Sequence, residues 1–261
     1  MTDIKDIKLF MLDMDGTLYL GERVIKGAPE FIKRIKENGA RVMYFTNNAS
    51  KDRALYIEKL NRLGFEADVS EIVSSGDVTA AFLNNHRAGK RVYLMGTPAC
   101  ERQFRQAGVN LVGIGEKCDI VVVSFDTTMT YEKVENACTQ IMNGAEFLST
   151  HPDINCPTED GFIPDSGAIC AMVELSTGKK PRFFGKPYAE TIEMVEEMTG
   201  LCRDSIAMVG DRLYTDIALG KKNGFTAIMV LSGEGTMQDV NELPDELKPD
   251  YIFNSVDEIL R

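Results

Sequence analysis

Short apolar runs that each end at a polar residue constrain this chain most. Residues 8–12 run apolar after Lys8 up to Asp13, 41–45 after Arg41 up to Thr46, and 205–209 after Ser205 up to Gly210-Asp211. Between the first two runs, residues 29–38 carry helical spacing through Phe31, Ile32 and Ile35, with Gly39 placed to end the helix. After the second, residues 52–63 set Leu55, Ile57, Leu60 and Leu63 on an apolar face, with Gly64 as the stop. Strand, helix, strand, helix in that order implies a parallel sheet with helices on its faces. The same grammar returns late in the chain, with a helix predicted over 214–223 and a strand over 226–231.

The middle reads as a further α/β unit. Strands are predicted at 91–95, 120–124 and 147–149, and helices at 98–107 and 131–143. Residues 151–167 hold Pro152, Pro157, Gly161 and Pro164, a density of turn residues that predicts a structured loop, followed by a helix over 168–176. Met194 and Met198, at helical spacing, read as core filler. The expected organisation is a core from 1–82 and 181–261 interrupted by an inserted α/β domain at 83–180. A chain of 261 residues holds about two domains of ordinary size.

Four short motifs fall at the predicted carboxyl ends of strands, the edge where open α/β sheets bind ligands. They are Asp13-Met14-Asp15-Gly16-Thr17, Thr46-Asn47-Asn48, Gly185-Lys186-Pro187, and the run from Gly210-Asp211 to Asp216. Two carboxylates one residue apart at a strand exit can lean into one crevice. Phosphoryl transfer asks for an oxygen nucleophile, a proton donor for the leaving alcohol and cations around the phosphoryl oxygens. A carboxylate can attack phosphorus and form an acyl phosphate, and a divalent metal lets that anion approach an anionic ester. Mg²⁺ takes oxygen ligands, one or two of them carboxylates, which Asp13 and Asp211 offer. Lys186 supplies fixed positive charge and the Thr46 hydroxyl a hydrogen bond. A phosphate-binding P-loop string and a complete dinucleotide glycine fingerprint are both missing, which argues against an NTPase and a dehydrogenase.

Charge narrows the partners. With 40 acidic and 29 basic side chains the formal net charge is −11, which repels nucleic-acid backbone and anionic lipid. A phosphorylated substrate therefore needs concentrated local positive charge. No apolar run is long enough to span a bilayer. The six cysteines form no CxxC pair and the histidines number two, which predicts free thiols in a reducing cytoplasm and no zinc site. A homo-oligomer is compatible with the sequence.

The strings LDMDGTLYLGERVIKGA, YFTNNAS, STHPDINCP with GFIPDSGAI, FGKP, and MVGDRLYTDIALGKKNGF together resemble the haloacid dehalogenase (HAD) phosphatase superfamily, in its NagD-like, p-nitrophenyl-phosphatase-like branch. The resemblance covers essentially the whole chain. It implies a Rossmann-like parallel-sheet core with an inserted smaller α/β cap, a flap hairpin at 18–26, and Mg²⁺-dependent hydrolysis of small phosphorylated metabolites. Asp13 is implied as nucleophile and Asp15 as general acid/base. Thr46, the Asn47 backbone and Lys186 are implied as phosphate holders. Asp13, the Asp15 main-chain carbonyl and Asp211 are implied as metal ligands, with Asp216 behind them orienting metal waters or Lys186. The implied cap covers the site and reads the leaving group, with Asp153, Asn155, Asp165 and Ser166 as its candidate substrate contacts. His151 reads as structural. Two other functions fit the same motifs: a phosphotransferase or mutase with an alcohol as acceptor, and a non-catalytic phospho-accepting regulatory module. The second fits poorly, because a signalling phosphoaspartate gains nothing from an acid/base at Asp15.

Overall fold

The first apolar run forms strand β1 (Leu9–Leu12), with all four residues buried, as a strand covered on both faces requires. The structure is a computed structural model and describes residues 2–158 and 161–260. Beyond β1 an antiparallel hairpin, β2 (Tyr19–Leu20) and β3 (Arg23–Val24), occupies the stretch read as a flap. Helix α1 (Ala28–Glu37) buries Phe31, Ile32 and Ile35, the predicted stripe, and Phe31 meets Phe10 edge-on at 6.1 Å between ring centroids. Strand β4 (Arg41–Thr46) pairs in parallel with β1. Helix α2 (Arg53–Arg62) departs from expectation, since Leu55 is 42% exposed and Tyr56 and Leu60 are its buried residues. Tyr56 and Leu60 sit one turn apart, and Leu55 is rotated off their face. Strand β5 (Ile72–Ser74) leads into helix α3 (Ser75–His86), whose Ser74 N-cap and Asp77 form a capping box. Seven of the twelve α3 residues are buried, so no amphipathic stripe marks it.

Contacts divide the chain into two compact units. The second holds Asn47–Leu55 and Ser74–Gly185. After α3 it comprises β6 (Val92–Met95), α4 (Pro98–Gln106), β7 (Leu111–Val112), β8 (Ile120–Val123), α5 (Tyr131–Met142), β9 (Glu146–Ser149), β10 (Asn155–Thr158), β11 (Gly161–Pro164), α6 (Ser166–Thr177) and β12 (Arg182–Phe183). Five strands pair in parallel in the order β12-β9-β8-β6-β7. Val121 and Val123 of the sheet pack with Ala137 and Ile141 of α5 and Ile169, Cys170 and Val173 of α6. Two expectations change here. The 151–167 loop contains the antiparallel hairpin β10–β11, exposed over most of its length, and α6 begins at Ser166 under an Asp165 N-cap. Two of the prolines that suggested a loop, Pro157 and Pro164, lie on a two-stranded ribbon, where missing N–H donors are tolerated. The expected domain edge at residue 83 falls inside α3, whereas the contact boundary lies ahead of that helix, at Ser74.

From Lys186 onward the chain belongs to the first unit. Helix α7 (Ala189–Thr199) precedes β13 (Ile206–Gly210); a π-helical turn (Leu213–Ile217) runs into α8 (Ala218–Asn223); then come β14 (Thr226–Val230), α9 (Met237–Glu242) and β15 (Tyr251–Phe253). Met194 is buried but Met198 is 47% exposed, so only the first of the two is core filler. The six-stranded sheet has the order β15-β14-β13-β1-β4-β5, with β1 parallel to both β4 and β13. From β1 the chain builds outward through β4 and β5; from β13 it builds the other way through β14 and β15. The order reverses between β1 and β13, and the crevice beyond their carboxyl ends is the ligand position of such sheets. All six cysteines are free, and among the described residues no helix is long and apolar enough to cross a membrane.

Candidate active site

Asp13 leaves β1 and Asp211 leaves β13 at that switch point, and Asp216 follows one turn later in the π-helical segment. Carboxylate oxygens of the three lie within 4.8 Å of one another. Lys186 is buried to 2% exposure among them. Its Nζ is 2.6 Å from Asp13 Oδ1 and 2.7 Å from Asp216 Oδ1, and donates to the Phe45 carbonyl at 3.4 Å, at the end of β4. Three carboxylates against one ammonium leave this pocket negative.

The surroundings hold these groups in place. The Asp13 N–H donates to the Val209 carbonyl at 2.9 Å, fixing the strand exit. The Glu234 N–H donates to Asp211 Oδ2 at 2.7 Å, and Thr17 Oγ1 to Asp211 Oδ1 at 3.5 Å. The Arg212 N–H donates to Asp216 Oδ2 at 3.1 Å. Gly16 has φ +92°, and a Cβ there would collide with the Asp211 carboxylate. Burial pushes the Asp13 carboxyl well above its usual range, with Lys186 opposing and Asp216 and Asp211 adding to the rise. Burial, then Asp216, lifts Asp211 to about 6 against the Glu234 hydrogen bond. Lys186 is raised in spite of its burial, because Asp13 and Asp216 hold its charge.

Asp15 lies apart from this buried set. Its side chain is 47% exposed, with Lys59 Nζ 3.9 Å from Oδ1. Lys59 itself packs over the Tyr19 ring, 3.8 Å from the centroid. Thr46, the last residue of β4, is 6% exposed. Asn47 belongs to the second unit, where its amide donates to Asp153 Oδ1 at 3.2 Å. Of the other candidate substrate contacts, Asp165 and Ser166 are buried at the head of α6: Asp165 Oδ1 caps the Ser166 N–H and meets His151 Nε2 at 2.7 Å, while Ser166 Oγ faces Ser149 Oγ at 2.9 Å. That geometry spends both on internal structure. Asn155 is exposed. Thr17 and the Glu234 main chain are site groups that sequence reading missed. Thr17 was visible inside the first motif, whereas a backbone donor leaves no signature in residue type.

A Rossmann-like sheet with a buried lysine among carboxylates at its switch point belongs to the class of α/β proteins suited to transferring anionic groups. Comparison with known proteins identifies the family. A family model described as haloacid dehalogenase-like hydrolase matches residues 10–110, and a second, HAD-hydrolase-like, matches 183–259. The acid sugar phosphatase of Staphylococcus aureus is 37% identical over 98% of both chains. The crystal structure of a 4-nitrophenylphosphatase from Thermotoga maritima superposes with a TM-score of 0.93 at 39% identity, covering 100% of this chain and 98% of that one. A glycerol phosphate phosphatase from Mycobacterium tuberculosis, solved in complex with magnesium, gives 0.92 at 27% identity, covering 99% of this chain and 78% of that one. The chain belongs to the haloacid dehalogenase-like hydrolase family, in its NagD- and p-nitrophenyl-phosphatase-like branch, and is a phosphatase.

Proposed function

We propose that this protein hydrolyses small phosphorylated metabolites, sugar phosphates foremost, through an aspartyl phosphate on Asp13 and with Mg²⁺ as its metal. The observation that carries the reading is the buried Asp13–Lys186–Asp216 arrangement beside Asp211 at the switch point. The relatives' names, acid sugar phosphatase and 4-nitrophenylphosphatase, support the substrate class.

The donor set fits a hard divalent cation. Oxygen atoms from three carboxylates converge, and burial, with the neighbouring carboxylates adding to it, lifts Asp13 and Asp211, so a cation that neutralises them is favoured here. Asp13, Asp211 and the Asp15 main-chain carbonyl are the residues assigned to hold Mg²⁺. When bound, the metal neutralises charge so that a carboxylate can meet an anionic ester. The magnesium complex of the mycobacterial relative agrees with that choice.

Lys186, the Thr46 hydroxyl and the Asn47 backbone hold the phosphoryl oxygens. An Asp13 oxygen attacks phosphorus while the bond to the leaving oxygen breaks, and Asp15 gives that oxygen its proton. Partial exposure suits Asp15 to this exchange with incoming and outgoing groups. Asp15, now the base, takes a proton from water, whose oxygen attacks phosphorus and releases Asp13 and inorganic phosphate. Lys186 keeps its proton throughout, because two carboxylates hold its charge. Leaving-group choice is assigned to the second unit.

The test is turnover of p-nitrophenyl phosphate and a sugar-phosphate panel by the purified protein, with EDTA and with added Mg²⁺. Phosphate release that stops with EDTA and returns with Mg²⁺ is expected, as is a phosphorylated Asp13 peptide after rapid acid quench. Metal-independent turnover, or phosphate label on another residue, refutes the reading.

A further inference from the structure

His151 stands at the end of β9, fully buried, and the mechanism above does not use it. Its partners Asp165, Thr150 and Ser75 belong, like His151, to the second unit. Nε2 is 2.7 Å from Asp165 Oδ1; Nδ1 is 2.9 Å from Thr150 Oγ1 and 3.3 Å from Ser75 Oγ. The groups around the ring constrain where its protons can sit. A carboxylate only accepts, so Nε2 carries a hydrogen. The Ser75 hydroxyl spends its hydrogen on the Asn47 carbonyl, 2.5 Å away, so it presents a lone pair to Nδ1. Thr150 Oγ1 has an outlet for its own hydrogen in Ser124 Oγ at 3.3 Å. Nδ1 therefore faces two hydroxyl oxygens that can both accept, which gives a second ring hydrogen a place to go. Asp165 is 3% exposed and, among the described residues, the His151 ring is the one basic group within ion-pair distance of its carboxylate. A buried carboxylate in such a place calls for a cation.

The pair reaches Asn47 by two routes. Ser75 holds the Asn47 carbonyl, and Asp153, whose carboxylate clusters with His151 and Asp165, accepts from the Asn47 amide. Both ring nitrogens already face hydrogen-bond partners. Anchors on the carbonyl and the side chain restrict rotation about the Asn47 backbone. Gly185, which precedes Lys186 in the chain, is pressed onto the same group: a Cβ there would lie 2.7 Å from Asn47 Oδ1, 2.9 Å from Ser75 Cβ and 3.1 Å from the Thr150 carbonyl.

We propose that His151 is an imidazolium that acts as a positioning residue: paired with Asp165, it fixes Ser75 and through it the Asn47 main chain in the conformation that receives a phosphoryl group. The second half rests on the assignment of Asn47 as a phosphate holder; the protonation state does not.

Two measurements test it. The chain has two histidines, His86 and His151. Nitrogen NMR of ¹⁵N-histidine-labelled protein therefore reads two rings, assigned with His86→Gln. Both His151 nitrogens are expected to be protonated at pH 7.5, and a neutral ring with one bare nitrogen overturns the imidazolium. In the second, Ser75→Ala removes the hydroxyl linking His151 to Asn47 and leaves the ion pair in place. Inhibition by inorganic phosphate is expected to weaken about tenfold, the scale of one lost hydrogen bond to a constrained group. KM for p-nitrophenyl phosphate should rise with it, more than kcat falls. An unchanged phosphate inhibition constant and KM in a folded Ser75→Ala protein overturns the positioning role. If wild type neither turns over nor binds phosphate, the proposed function fails, while the NMR result still decides the protonation state.

Discussion

Asp13 and Lys186 make opposite demands on the same pocket. Burial and two neighbouring carboxylates disfavour the Asp13 charge, and Lys186 is what keeps it tolerable. Asp13→Asn removes the proposed attacking oxygen and also one of the clustered negative charges. Turnover of p-nitrophenyl phosphate is expected to fall by about 10³-fold or more, on the scale of losing a reacting group. The melting temperature of the metal-free protein should hold or rise, since Lys186 keeps Asp216. Retained turnover, measured against a matched circular-dichroism melt, contradicts the nucleophile assignment. Lys186→Met is predicted to act differently, leaving Asp13, Asp211 and Asp216 without their cation. Breaking such a buried pair costs about 3–5 kcal/mol, so the melting temperature should drop alongside kcat. At this scale the sequence was informative, because chemistry is a property of residue type: Asp13, Asp211, Asp216 and Lys186 converge as their motifs suggested. What it hid were partners chosen by the fold, such as the Glu234 N–H on Asp211 and Ser75 on Asn47.

Elements were legible where their surroundings differ on two faces. Helix α1 buries Phe31, Ile32 and Ile35 because one side meets the sheet and the other solvent. Helix α3 is buried on most of its surface, so no period could announce it, and its capping box was the remaining signal. The hairpin β10–β11 failed for the opposite reason: with little buried, it has no apolar alternation. Close approach of one element to another is equally invisible in sequence. The turn after β1 passes so near the loop after β13 that Gly16 has no room for a Cβ beside the Asp211 carboxylate, and its φ of +92° disfavours side chains independently. Gly16→Ala should therefore displace Asp211. The expected outcome is a weaker apparent affinity for Mg²⁺ in the activity assay, with a stability loss of about 1–3 kcal/mol from the strained backbone. An unchanged Mg²⁺ activation curve would show that the turn has slack that the contact distances deny.

For the molecule as a whole, an excess of acid runs from the surface, at a formal charge of −11, into the pocket. Linkage turns that into a stability profile. Asp211 titrates at about 6 in the folded chain, above the ordinary carboxylate value of 3.8. The folded state thus binds this proton more tightly than the unfolded state does. Its stabilising contribution is complete below about pH 4 and is lost as pH rises through about 6. Asp13, also raised, contributes with the same sign. Carboxylates held low by partners, such as Asp119 at about 2 beside Arg91, change their contribution only in stronger acid, outside this window. On the proposed function Mg²⁺ is expected to reverse the trend, because it would bind the deprotonated carboxylates and compete with the proton. At saturating metal the stabilisation follows the ratio of concentration to Kd, about 2.7 kcal/mol at a hundredfold excess. Melts at pH 5 and pH 8, each with EDTA and with Mg²⁺, are expected to show a small metal-induced rise at pH 5 and a larger one at pH 8. Ca²⁺ should stabilise as well, since the site offers hard oxygen ligands to either ion, whereas the same concentration of a monovalent salt should not. Equal metal shifts at the two pH values would mean that the clustered carboxylates are not where the ion binds. The same pair of melts on Asp211→Asn should lose most of the difference between pH 5 and pH 8, which ties the profile to the residue at the end of β13.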